Sequence, residues 1–168
     1  MPEEYDEPDR PENLDQPPSF FPYEDDVPIR ESGSLGELVE VNVEGVYAAE
    51  NNGQISRFVV VTDGERKLPI LIGAFEAQAI AMEYEGSRPD RPLTHDLIRT
   101  IMMRANVVLE RVVIDDFWNA VYYAKLNIRV EKEEMEIDAR PSDAIALAMR
   151  FDSPIFVADG ILEAAMEG

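Results

Sequence analysis

The sequence predicts an α+β domain with helices packed on antiparallel sheet. Three observations carry this expectation. A pattern occurs twice: residues 70–84 read ILIGAFEAQAIAMEY, and residues 137–151 read IDARPSDAIALAMRF. An offset of 67 pairs Ile70 with Ile137, Glu76-Ala77 with Asp143-Ala144, and Ile80-Ala81-Met82 with Leu147-Ala148-Met149. Each copy reads as a short apolar strand, a turn and an alanine-rich helix with an acid in its first turn. One domain built from a duplicated hairpin-strand-helix unit is expected. Secondly, the strand segments group into meanders separated by single helices, which is the α+β arrangement. Thirdly, roughly 130 residues follow the N-terminal segment, enough for a substantial core.

The elements are expected in this order. LVEVNVEGVYA at 38–48 alternates apolar and polar residues, as a half-buried strand does. ISRFVVVTDGERKLPILIG at 55–73 reads as a hairpin of β-branched strands turning at Asp63-Gly64. A first helix runs from about Phe75 to Glu85 and stops near Gly86. A second starts with Thr94 as N-cap, with Leu93 and Ile98 spaced for a hydrophobic staple. Its buried stripe is expected to be Leu97, Ile98, Ile101, Met102 and Ala105. Residues 107–139 give a second hairpin and a third strand. Pro141 opens a third helix at a first-turn position, where a missing N–H costs nothing. SPIFVA at 153–158 is a last short strand, expected at a sheet edge, and DGILEAAMEG a frayed terminal helix.

Residues 1–34 differ in kind. They carry seven prolines and few apolar residues, so a disordered acidic tail is expected, with the domain at 35–168. FFPY at 20–23 is the exception, an aromatic cluster suited to docking on its own domain or a neighbouring subunit. The first ten residues, MPEEYDEPDR, are unlike a secretory signal. No run of 18 apolar residues suggests a membrane span, and the absence of cysteine excludes disulfides and thiolate metal sites. A cytoplasmic location is expected. The net charge is −20, of which the first 34 residues supply −9. Twelve Arg and only three Lys among so many acids suit either a halophilic source or an acidic cytosolic protein. Either way the global field repels nucleic acid.

Two segments carry candidate chemistry. RPDRPLTHDLIR at 88–99 holds three arginines, the only histidine and Asp96. His95 and Asp96 are expected on an exposed first helical turn, with Arg99 on the face of His95. Arg91 and Arg99 there could grip phosphate at a helix N-terminus, and His95 could transfer protons. The plainer reading is an Asp96 that complements the helix dipole and a surface His. IDARPSDA at 137–144 places Asp138, Arg140 and Asp143 close together in sequence. Two acids around one Arg could hold a divalent cation such as magnesium beside a phosphate, or could be a structural ion pair. Phe117, Trp118, Tyr122 and Tyr123 could stack bases, or pack a hairpin.

LPILIGAFEAQAIAMEYEG, RPLTHDLI and IDARPSDAIALAMR, in this order and spacing, resemble the bifunctional nuclease domain family of bacteria, archaea and plants. The likeness covers about residues 38–165. It implies a compact, oligomeric α+β domain and the RNase and DNase activity reported for plant members. The matching positions are Thr94, His95, Asp96, Asp138, Arg140, Ser142 and Asp143. A Gly-Thr-Phe-type hairpin turn of the family is replaced here by Asp116-Phe117-Trp118-Asn119-Ala120. The expected function is metal-assisted hydrolysis of RNA or DNA phosphodiesters. In it His95, Asp96, Asp138 and Asp143 are catalytic, Asp138 and Asp143 hold the cation, and Arg91, Arg99 and Arg140 bind substrate. The competing expectation is a non-enzymatic homo-oligomeric module that binds a nucleotide or a protein.

Overall fold

The computed structural model describes residues 35–167. The expected tail at 1–34, with its FFPY cluster, lies outside these residues. The strands are β1 (Leu38–Asn51), β2 (Gln54–Thr62), β3 (Lys67–Ile72), β4 (Val107–Trp118), β5 (Val121–Val130), β6 (Glu133–Ala139) and β7 (Ile155–Ala158). The helices are α1 (Ala74–Tyr84), α2 (Thr94–Arg104), α3 (Pro141–Phe151) and α4 (Asp159–Glu167). The α+β class is as expected, and the sheet is mixed and mostly antiparallel.

The sheet has seven strands in the order β3-β2-β1-β7-β4-β5-β6. Two antiparallel meanders flank β7, which runs antiparallel to β1 and parallel to β4. The expectation of an edge position for SPIFVA is therefore corrected. The strand is short because it is a wedge between two meanders, and Ile155, Val157 and Ala158 are buried there. The edges are β3 and β6.

Local chemistry explains the turns. Asn52 and Gly53 both have positive φ, as a two-residue hairpin turn of primed type requires. The β4–β5 turn uses Asn119 and Ala120 in the same way, at φ 50° and 62°. Between β2 and β3, Asp63 Oδ1 accepts the N–H groups of Glu65 and Arg66. These bonds and the Arg66 side chain hold the Asp63 carboxyl down at about 2. At the hairpin end of β4–β5, Phe117 and Tyr122 lie ring to ring with centroids 4.5 Å apart, the packing alternative for these aromatics.

The helices sit on the sheet with unequal burial. α3 buries Ala144, Ile145, Ala146, Leu147 and Ala148; the small side chains let its axis approach the strands. Pro141 is its first residue and Arg140 its N-cap. α4 is not frayed as expected. Ile161 and Leu162 are buried, and the Asp159 and Gly160 N–H groups donate to Glu37 and Leu35 carbonyls at 2.8 and 2.7 Å. A Cβ on Gly160 would meet the Leu35 carbonyl oxygen, so only glycine permits this approach.

α2 departs most from expectation. Its N-cap is Leu93 rather than Thr94, and the Leu93 N–H donates to Asp96 Oδ2 at 2.8 Å. His95 is its buried residue, with Ile98 and Met102 partly buried beside it. Leu97 and Ile101, expected inside, are exposed. The inward stripe is 95, 98 and 102, because Asp96 is anchored to α3 as described next.

Candidate functional site

The acids in the first turns of α1 and α3 face a common arginine. Arg140 donates from Nε to Asp143 Oδ2 at 2.7 Å and from Nη2 to Asp143 Oδ1 at 3.1 Å. Its Nη2 also pairs with Glu76 Oε1 at 2.9 Å. His95 reaches the same carboxylate from α2, with Nε2 2.9 Å from Asp143 Oδ1. These side chains line a cavity of about 430 Å³ together with Phe75, Gln78 and Thr94. Four elements thus contribute to one cluster: α1, α2, the β6–α3 junction and α3.

The electrostatics fix the proton positions. Burial pushes the Asp143 carboxyl up, but hydrogen bonds from Arg140 and His95 outweigh it and hold it below the usual carboxylate range. Asp143 is therefore ionised and only accepts, so His95 donates from Nε2. A neutral His95 then has its lone pair on Nδ1. Such a carboxylate-oriented imidazole is suited to proton transfer. The Asp143 hydrogen bond raises the Arg140 guanidinium above its ordinary value. Arg140 is nevertheless 65% exposed, and its Nη1 has no partner among the described residues.

Among the described residues no three His, Asp or Glu side chains gather as a metal site. Arg140 bridges Glu76 and Asp143, whereas Asp138, expected to hold a cation with Asp143, is exposed on β6.

The other expected residues lie apart from the cluster. Both oxygens of Asp96 are engaged: Oδ2 caps α2, and Oδ1 accepts from Arg150 Nε at 2.6 Å. Arg150 also donates to the Ala146 and Ala79 carbonyls at 2.9 and 3.1 Å, which ties α1, α2 and α3 together. Its side chain is only 3% exposed. His95 lies buried behind this tie rather than on an exposed turn. Asp138 is exposed on β6, opposite Lys125, and is not among the residues that line the cavity. Arg91 is exposed in the loop before α2. Arg99 lies over the Phe151 ring at 5.9 Å and lines a second cavity of about 470 Å³ with Arg88 and Arg150. In the sequence Glu76 stands out only as an acid in the first turn of a helix, and nothing there marks Arg150 or Gly73. The match of Glu76 to Asp143 at the 67-residue offset was the available signal for Glu76. A Cβ on Gly73, the position matching Arg140, would collide with the Glu76 carboxylate, so glycine leaves room for Glu76 to turn toward Arg140.

Fold and cluster together define an α+β domain with a histidine–carboxylate pair beside an exposed arginine. The comparisons narrow this class. The pattern of the bifunctional nuclease domain matches residues 59–167. Two uncharacterized proteins from two strains of Mycobacterium tuberculosis are each 39% identical over 126 residues, covering 75% of this chain and 75% of each relative. The chain belongs to the bifunctional nuclease domain family. None of its described helices is long and apolar enough to cross a membrane.

Proposed function

We propose that this protein is a nuclease that hydrolyses phosphodiester bonds of RNA or DNA. The observation that carries the reading is the His95–Asp143 pair beside the free Nη1 of Arg140 in one cavity, in a chain of the bifunctional nuclease domain family. In this reading His95 moves the proton, Asp143 orients it, and Arg140 takes a phosphate oxygen. Asp96 has a positioning role through Leu93 and Arg150. Arg88, Arg91, Arg99 and Arg104 have no carboxylate partner among the described residues, and all lie between the loop before α2 and its last turn. Arg88 and Arg99 line one cavity, and the four together add local positive charge to an otherwise acidic chain, which suits neighbouring phosphates. Asp138, exposed on β6 two residues before Arg140, is the remaining ligand for a cation brought by substrate.

The competing reading, a binding module without catalysis, is favoured by the net charge of −20. A cleavage assay on RNA, single-stranded DNA and duplex DNA, with and without chelator, at low and high salt, separates them. Cleavage lost in both His95→Ala and Arg140→Ala is expected. No cleavage by the wild type, or cleavage that survives both substitutions, overturns the nuclease reading. Arg140→Ala keeps the fold, because an ion pair this exposed contributes about 1 kcal/mol or less.

The duplicated unit is part of the same proposal. Its support is that β2, β3, α1 and the Asn52-Gly53 turn, shifted by 67 residues, fall on β5, β6, α3 and Asn119-Ala120. A homo-oligomer in the cytoplasm is also proposed. Exposed Leu97 and Ile101 on α2, with Leu71 on edge strand β3, supply apolar surface for a second copy, and light scattering tests it.

A further inference from the structure

Phe75 lies outside the buried core. It is the second residue of α1, 83% exposed, and it lines the same cavity as His95 and Arg140. Gln78 follows one turn later on the same face of α1 and lines that cavity too. It is exposed, and its amide makes no hydrogen bond to a described residue. α1 thus lends the cavity an exposed aromatic ring and an amide without a hydrogen bond to a described residue. The same cavity holds the charged cluster of Arg140, His95 and Asp143.

From this juxtaposition we infer that Phe75 and Gln78 form a nucleobase subsite, so that the substrate is unpaired, single-stranded nucleic acid. The inference rests on the nuclease reading and deepens it. A base stacks on the Phe75 ring, and its edge meets the Gln78 amide, which both donates and accepts. The adjoining phosphate then lies against Arg140 Nη1. At about 430 Å³ the cavity falls in the range of small-ligand pockets. A base inside a duplex is stacked on both faces and cannot reach the ring. Stacking on an aromatic side chain tolerates every base, because each has a π-face. The charges agree with this division. Glu76 and Asp143 leave the cluster short of positive charge, so affinity must come in part from an uncharged contact, and the Phe75 ring supplies one.

The test measures binding and cleavage separately on the full chain. A short fluorescent DNA strand and the same strand with abasic sites are titrated by anisotropy against His95→Ala, which removes the proposed proton carrier. Adding Phe75→Ala is expected to weaken the base-bearing strand at least about five-fold, leave the abasic strand unchanged, and be rescued by Phe75→Trp. The matching duplex is expected to bind more weakly than the single strand and to ignore Phe75. Equal loss on both strands, or no loss, overturns the inference. So does light scattering in which Phe75→Ala breaks an oligomer, since the ring then contacts a second copy. The two readings fail distinguishably. Wild-type cleavage indifferent to Phe75 sinks the base subsite and leaves the nuclease. Base-dependent binding without cleavage under any condition does the reverse.

Discussion

Arg150→Met tests whether one buried guanidinium positions the site. The substitution keeps most of the stem and removes the charged head. Three hydrogen bonds go with it: to Asp96 at 2.6 Å, to the Ala146 carbonyl at 2.9 Å and to the Ala79 carbonyl at 3.1 Å. Removing one partner of a buried pair typically costs 3–5 kcal/mol, because the other charge is left without compensation. Asp96 is 28% exposed, so water recovers part of that, and a loss of about 3 kcal/mol is expected. In a domain of this size that lowers Tm by roughly 10 °C. The loss depends on pH. Burial pushes the Asp96 carboxyl up, but Arg150 and the Leu93 N–H outweigh it and hold it below its ordinary value. A carboxyl lower in the folded than in the unfolded state stabilises above the unfolded value. That contribution fades as pH falls through the folded value. The gap between wild type and variant should therefore be full near neutral pH and shrink below about pH 4. Urea unfolding is the assay, with Cm shifted and the slope unchanged. A loss under about 1 kcal/mol near neutral pH, or a gap constant down to low pH, refutes the tie between α2 and α3.

Other outcomes follow from single positions. Ala120→Gly should stabilise the fold by about 0.5–1 kcal/mol, since the left-handed backbone penalises alanine more than the added chain entropy costs; a lower Cm would contradict this. Gly73→Ala should push the Glu76 carboxylate off Arg140 with little loss of stability, and the NMR signals of the Arg140 Nη2 protons, which pair with Glu76, should register the released partner. A chain beginning at Leu35 should melt within a few degrees of the full chain. One beginning at Leu38 should melt lower, because the Leu35 and Glu37 carbonyls that accept from α4 are gone. Equal melting of the two truncated chains would show that these bonds do not hold α4.

The local pieces of this protein are legible in its residues. Alternation marked β1, β-branched runs marked the β2–β3 hairpin, and Pro141 marked the start of α3. These signals are legible because backbone dihedrals and the periods of strand and helix act over a few residues. The tertiary structure alone decided where the pieces meet. β7 is too short to reveal from its four residues that both its edges are paired. The phase of α2 was misread because Leu97 and Ile101 are apolar, while the face that turns inward carries His95. That face is chosen by Asp96, whose partner Arg150 is 54 residues away. His95, Arg140 and Asp143 were legible as polar residues in short segments, and Glu76 as an acid in a helix start. That Arg140 bridges Glu76 and Asp143, while His95 reaches Asp143 across 48 residues, depends on the packing of α1, α2 and α3 side by side. Ion pairs between distant segments leave no period in the chain, because burial and charge at the finished helix junction select the partners.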